Sequence, residues 1–563
     1  MKIARIARVG VMGALVLAVL GIAGCSFFGS SSGTDAQQGA DSGSSQTKQN
    51  FTPKDKDAEV TLRIASGSEN REAADAIQKA VDASGVAVHI DYMGSLDIMN
   101  QLKDGGGDYD AVWPASSIWI SLGDEKHVVR DEQSTSTTPV VFGVAKKKAV
   151  ELGWADESGA TKDVSTADVL AAVEAGKLSF SMTSATQSNS GASAYLAFLQ
   201  ALKGGSDPLT AADLQNTDLT GKVKTLLSGV DRSSGSSDWL KDMVVANPDK
   251  FDAMVNYESL VIAANKQLTD AGKDPLVCVY PTDGIAVSDS PLAYIDRGQG
   301  SEDAFKKFQK ALASDDAKLL LERAGRRCGL GGTLLNPDDS YVKGAFRSSW
   351  GVRTEASALK AVPMPAADVI SSALAQYQTA LRKPSYTIWV VDYSGSMQGS
   401  GKEGVVNGLT AALDPTEAAK SMIQPSEDDV NVFIPFSSVA STPVVSMGSD
   451  TEIVLDEAKS KEASGGTNLY DGLNEALDVL PSDPSKYTCA IVLMTDGMSD
   501  TGDRDAFLKA YEEKGGGVPV YSIMFGAADS EQLKDLATRT DAKVFDGRNG
   551  DLASVFRQVK GYN

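Results

Sequence analysis

The stretch "SYTIWVVDYSGSMQGSG", residues 385–401, sets an apolar run against an abrupt polar exit. Ser385 to Val391 has the β-branched and aromatic composition of a buried strand leading a sheet. Asp392, Ser394 and Ser396 follow in the order D-x-S-x-S. A carboxylate and two hydroxyls at a strand's end do not suit a Ser hydrolase, which needs a His beside its nucleophile, or a phosphate cradle, which wants a Lys. They suit a hard cation, which takes oxygen ligands.

Working outward, the apolar runs "VNVFIPF", "CAIVLMT" and "VPVYSIMFG" read as further strands. Helical periodicity falls near 470–479, 504–514 and 530–538. The alternation predicts a mostly parallel sheet flanked by helices over 385–563, with ligands at the carboxyl ends of its strands. Two further segments supply oxygen donors of the kind this site lacks. "ASGGTNLYDGL" places Thr467 after two Gly at a helix start, and "LMTDGMSD" ends a strand in Thr495-Asp496-Gly497. Asp392, Ser394, Ser396, Thr467 and Asp496 can then converge as two acids and three hydroxyls. With no His or Cys, that set fits softer metals poorly. The bland alternative is that Ser394 and Ser396 cap a helix while Asp392 holds them by hydrogen bonds. Asp500 to Asp505, "DTGDRD", lacks the spacing of a Ca²⁺ loop and reads as a solvated helix entry.

D-x-S-x-S, then Thr, then Asp resembles the metal-ion-dependent adhesion site of the von Willebrand factor A (VWA) domain family, and all five positions match. The resemblance implies a Rossmann-like VWA fold with one antiparallel edge strand. It also implies a bound Mg²⁺, or another divalent cation such as Mn²⁺ or Ca²⁺, and a protein partner whose acidic residue completes the metal shell.

Upstream, residues 58–345 alternate strands and helices as an α/β region. "VTLRIA" is a strand, "REAADAIQKAVDASG" a helix stopped by Gly85, and "VAVHIDY" a strand whose His89 faces away from Val86, Val88 and Ile90. "GSLDIMNQLKDGG" is a short helix with Ser95 at its N-cap. Hydroxyls gather at the turns: Ser66, Ser68, Ser95, Ser116 and Ser117. "TSATQSNSGASAYLAFL" sets Thr186, Ser188, Asn189, Ser190 and Gly191 before an amphipathic helix. Such helix starts suit an anion or polar head group, and they equally suit ordinary capping. The layout, with "STTPVVFGVAKKKA" as a crossover and "EDAFKKFQKALASDDAKLLLERAG" closing it, resembles extracellular solute-binding proteins of the two-lobed, type II periplasmic-binding class. That resemblance rests on element order over roughly half the chain. It implies ligand contacts from Ser66, Ser68, Ser95, Ser116, Thr138, Ser188, Asn189 and Tyr257, and it leaves the ligand's identity open. Residues 346–384, with Pro363, Pro365 and one helix, read as a connector.

The first 25 residues, "MKIARIARVGVMGALVLAVLGIAGC", have a basic start (Lys2, Arg5, Arg8), an apolar stretch and small residues before Cys25, the plan of an export signal. The stretch is shorter than the roughly 20 apolar residues a bilayer span needs. "IAGC" resembles the lipobox of bacterial lipoproteins, which implies cleavage after residue 24 and a lipidated Cys25 anchoring the protein outside the cytoplasm. An ordinary secretory signal with a stray Cys is the alternative. Residues 25–57 are Ser- and Gly-rich and read as a tether. The G-x-S-x-G pattern at 29–33 lies in that tether without the flanking strand and helix of a nucleophile elbow, so it is set aside. An exported chain meets oxidising conditions, so Cys278 and Cys328 can pair; two separate thiols fit the sequence as well.

Charge and composition narrow the function classes. The chain has 53 Lys and Arg against 75 Asp and Glu, a net charge of −22, which argues against nucleic acid as a partner. Only two His are present, His89 and His127, and neither has a nucleophile beside it in sequence. No paired-carboxylate arrangement for acid and base work appears. The sequence therefore points to a lipid-anchored binding protein that is not an enzyme. In it the first domain would capture a solute and the second would bind a protein partner through Mg²⁺. The alternative is the substrate-binding component of an ABC-type importer whose VWA domain docks a membrane partner.

Overall fold

Eighteen strands, most of them apolar runs bounded by polar turns, occur among the residues that the computed structural model describes, 47–563 apart from Lys56, Glu59, Asp500, 549–551 and Asn563. The export signal, Cys25 and most of the tether lie outside the described residues. In chain order the strands are β1 (Lys48–Phe51), β2 (Thr61–Gly67), β3 (Ala87–Met93), β4 (Ala111–Trp113), β5 (Val129–Ser134), β6 (Thr138–Ala145), β7 (Phe180–Thr183), β8 (Val230–Ser234), β9 (Ala253–Tyr257), β10 (Leu276–Val279), β11 (Val287–Ser288) and β12 (Pro291–Ile295). They continue with β13 (Ser385–Asp392), β14 (Val430–Phe436), β15 (Val444–Met447), β16 (Thr488–Thr495), β17 (Val520–Met524) and β18 (Val544–Asp546).

They form three sheets. The first lobe has the order β1-β3-β2-β4-β12-β5, and the second β10-β6-β9-β7-β8 with β11 paired to β6. The chain crosses between them after β5 and again between β11 and β12. Residues 48–51, inside the span read as tether, pair antiparallel with β3. The C-terminal sheet runs β15-β14-β13-β16-β17-β18, parallel throughout except for β15. The single antiparallel strand sits at the edge, as the VWA resemblance implied.

Strand β13 shows why this sheet forms. Ile388 and Val390 face a core with Leu473 and Ile434, while Trp389 and Val391 face another with Leu409 and Phe556. A strand apolar on both faces needs helices on both sides, and each such buried side chain contributes about 1.5–3 kcal/mol. Asp392 ends the strand because β13 and its neighbours stop together there, leaving polar loops at one rim.

The stretch read as a connector is packed. Helix Ala367–Gln376 puts Val369, Ile370, Ala373 and Leu374 into the core of the second lobe, and Tyr195 donates from its hydroxyl to the Ala373 carbonyl at 3.0 Å.

Two local expectations are corrected. Cys278 and Cys328 are both free thiols. Cys278 is buried in β10 in the second-lobe core, whereas Cys328 packs against the first-lobe core, so the lobe division separates them. Ser95 does not cap its helix: the helix begins at Ser95 itself, and its hydroxyl instead accepts the Ala115 amide at 3.2 Å. His89 is a structural residue, hydrogen-bonded to Asn50 and Asp91.

Candidate functional site

At the C-terminal rim, the Asp392 side chain is fully buried. One carboxylate oxygen accepts the Ser394 amide at 2.7 Å and the other accepts the Thr495 hydroxyl at 2.6 Å. The Ser394 and Ser396 hydroxyls are 3.0 Å apart, and Ser396 donates to Asp496 at 2.8 Å. Four of the five expected residues thus lie on one hydrogen-bonded path. Thr467 comes beside it because its loop is pinned to the D-x-S-x-S turn, where the Gly395 amide donates to the Gly465 carbonyl at 3.0 Å. Its hydroxyl lies so near Gly497 that a Cβ there would be 3.5 Å from Thr467 Oγ1. Ser499 and Thr501 hold the Thr467 carbonyl, each at 3.2 Å.

Burial pushes the Asp392 carboxyl above its ordinary range; the Thr495 and Ser394 hydrogen bonds pull the other way, and the Asp496 charge adds to the rise. Among the described residues no Lys, Arg or His forms an ion pair with Asp392 or Asp496. Two adjacent carboxylates, one buried, with three hydroxyls and no basic neighbour make an all-oxygen set that could hold a hard divalent cation. No group of three or more His, Cys, Asp or Glu side chains suited to a metal occurs among the described residues. Counting acids alone would therefore miss this rim. Thr495 is the contributor that sequence reasoning passed over; its signal was its place as the last residue of a strand, directly before Asp496.

The second candidate site lies between the two lobes. The side chain of Asn189, at the start of helix Asn189–Lys203, donates to Tyr257 and to Ser288, each at 2.9 Å, and accepts from Trp119 of the first lobe at 2.6 Å. Thr138 sits opposite Ser288 in the β6–β11 register, and its hydroxyl accepts the Ser259 amide. Ser188 bonds Ser237, while Ser68 accepts from Ser236 across the lobes. Ser66 accepts from Asn70, which also donates to the Trp113 carbonyl. Ser116 is engaged locally, accepting the Ile118 amide, and Ser95 is committed to Ala115.

The lobes are closed on one another. A Cβ on Gly94 would come within 2.2 Å of the Gln187 carbonyl oxygen, so only Gly allows that approach. Ion pairs Arg71–Asp238 and Lys241–Glu72 also cross the cleft.

Sequence reasoning missed the charged residues here. Arg326 is 1% exposed; it donates to Ser136 and Ser290 at 3.3 Å each and to the Glu69 carbonyl at 2.8 Å. Burial pushes the Glu69 carboxyl up to about 7, against the pull of Arg326.

The two halves share an interface. The Gln187 amide donates to the Arg557 carbonyl at 2.8 Å, and Ser233 donates to the Gly561 carbonyl at 3.1 Å. Tyr562 packs on Trp239, Tyr521 and Phe545 at ring distances of 5.1, 5.6 and 5.1 Å.

A two-lobed α/β region is followed by a parallel sheet that carries this rim. The comparisons agree: residues 62–327 match the family of bacterial extracellular solute-binding proteins, and residues 388–558 match the von Willebrand factor type A domain. The chain joins a bacterial extracellular solute-binding domain to a C-terminal VWA domain. No curated protein matches it. Among solved structures, a von Willebrand factor type A protein from Catenulispora acidiphila is 17% identical with a TM-score of 0.28, covering 32% of this chain and 43% of that one. The sulfate-binding protein SubI from Mycobacterium tuberculosis H37Rv is 19% identical with a TM-score of 0.38, covering 52% and 92%. The periplasmic binding protein AfuA from Actinobacillus pleuropneumoniae, solved with fructose-6-phosphate, is 11% identical with a TM-score of 0.37, covering 48% and 84%.

Proposed function

We propose that the protein is a non-enzymatic capture protein, lipid-anchored through Cys25 outside the cytoplasm. Its VWA domain binds a divalent cation and, through it, a protein partner, while its solute-binding domain takes up a small ligand between the lobes. Asp392, Ser394, Ser396, Thr467 and Asp496 would hold the ion, with Thr495 orienting Asp392. When bound, Mg²⁺ would supply a Lewis-acidic position for a partner's oxygen ligand. The carrying observation is the Asp392–Asp496 pair, which is packed among hydroxyls with no ion pair to a basic side chain among the described residues. A match to extracellular solute-binding proteins supports the location. No helix among the described residues is long and apolar enough to cross a membrane, so attachment rests on the lipobox resemblance.

The test is a pull-down from cell surfaces with the full chain, in Mg²⁺ or in chelator. A partner recovered in Mg²⁺ by the parent, and lost in chelator and in Asp392→Ala, is the expected result. Equal recovery in all three would count against the reading.

A second reading is favoured by the polar contacts that span the lobes. They fit a domain that opens and closes on solute, as the binding component of an importer would, with the VWA domain docking its membrane partner.

A further inference from the structure

Three buried or half-buried cations at the cleft are matched by acids. Arg71 pairs with Asp238, and Lys241 reaches Glu72, Asp238 and Asp242. Arg327 makes a two-pronged pair with Glu258, through Nε and Nη2 at 2.7 Å each. Arg326, its neighbour in sequence, forms no ion pair among the described residues. Its Nη atoms meet only neutral oxygens, two hydroxyls and a carbonyl, and its buried Nε has no hydrogen-bond partner. A buried guanidinium is costly unless a negative charge answers it. The nearest acid in effect is Glu69, which is 3% exposed. That side chain folds back over Gly67 at the end of β2, and its buried Oε1 also lacks a partner.

The position is suited to a ligand. Ser136 and Ser290, which orient the Arg326 fork, lie on the two segments where the chain crosses between lobes. Ser290 also donates to Asn70, which bonds Ser66, so the fork is wired to the first turn of the sheet. Tyr257, already held by Asn189, lies in the field of both Glu69 and Arg326. The fork geometry of Arg matches carboxylate and oxyanion groups, whereas a neutral sugar would leave the charge unanswered.

We infer that the cleft binds an anionic solute group, a carboxylate or an oxyanion, on Arg326 with Ser136, Ser290, Ser66, Asn70 and Tyr257 around it, and that the Glu69 carboxylate is the internal competitor it displaces. The inference rests on the solute-capture reading above and gives it a chemical class.

Calorimetric titration of the full chain with sulfate, phosphate, succinate and, as a neutral solute, maltose tests it. At least one anion should bind the parent, and which one distinguishes oxyanion from carboxylate. Arg326→Gln should weaken that anion by about 100-fold or more. Glu69→Gln, which removes the competing charge and keeps the guanidinium, should tighten it by about tenfold. A gain of affinity cannot come from misfolding, so this arm stands even if Arg326→Gln folds poorly. The inference is overturned if no anion binds either the parent or Glu69→Gln, if Glu69→Gln leaves anion affinity unchanged, or if Arg326→Gln binds as the parent does. Maltose binding with the anions inert would overturn the anionic class while leaving solute capture in place. Silence of every solute, maltose included, would remove solute capture itself.

Discussion

Replacing Asp392 by Asn should move the protein's stability in opposite directions with and without Mg²⁺. Asn keeps an oxygen to accept the Ser394 amide, now at 2.7 Å, and removes a fully buried charge beside Asp496. The Asp392 carboxyl is held above its ordinary range, chiefly by burial. A raised carboxyl stabilises the fold below its unfolded value of about 3.9, and that contribution is lost as pH rises through the folded value. Above that folded value the metal-free parent therefore carries an unfavourable buried charge, and there the variant should be the more stable of the two. In Mg²⁺ the order reverses. Binding to the folded state alone stabilises by RT ln(1 + [L]/Kd), about 2.7 kcal/mol at 100 times Kd. For a folding unit of about 150–250 residues, 1 kcal/mol is worth roughly 2–4 °C, so the parent should gain about 5–10 °C and the variant almost nothing. Thermal melts in chelator and across a Mg²⁺ series, at pH 5 and 7.5, read all of this. A variant that keeps the parent's Mg²⁺ shift, or a chelated variant well below the chelated parent, would refute the reasoning.

Other expectations follow from buried pairs and the shared interface. Glu258→Gln strands Arg327, whose side chain is fully buried, and should cost about 3–5 kcal/mol in equilibrium urea denaturation; a loss under about 1 kcal/mol would show the pair is dispensable. Asp429, which accepts from Arg382 and from the Ser385 and Ser426 amides, has its ionisation opposed by burial but is held well below the usual carboxylate range by Arg382 and Lys560. Its stabilisation is present above about pH 3.9 and is lost as pH falls through the folded value, so Asp429→Asn should flatten the acid limb of a stability–pH curve. Tyr562→Ala removes a ring packed on Trp239, Tyr521 and Phe545 and should cost about 3 kcal/mol. It should also speed amide hydrogen exchange at residues 187–190 more than at the VWA rim.

The rim of carboxylates and hydroxyls was readable because its two acids are tied to strand ends. Asp392 directly follows an apolar run and Asp496 follows one by way of Thr495, and in a parallel sheet those runs finish on the same side whatever the loops do. The solute cleft was half readable. The helix-start reading marked Ser188 and Asn189 and the family resemblance marked Tyr257, while the Ser95 hydroxyl accepts the Ala115 amide and that of Ser116 the Ile118 amide. Arg326 carried no local signal at all: it follows a helix in an ordinary charged segment, and only folding brings it against Ser136, Ser290 and Glu69.

By itself the sequence determined the two α/β halves, the parallel order at the C-terminal end and the oxygen donors at its rim, since apolar periodicity and strand ends are properties of neighbouring residues. Tertiary structure alone decided the separation of Cys278 from Cys328, the packing of 367–376 into the second lobe and the closed cleft with its unmatched guanidinium. It also decided the joining of Gln187, Ser233 and Trp239 to the last residues of the VWA domain. Each of these depends on groups tens to hundreds of positions apart, where the energy of a contact exists only once both partners have left water together.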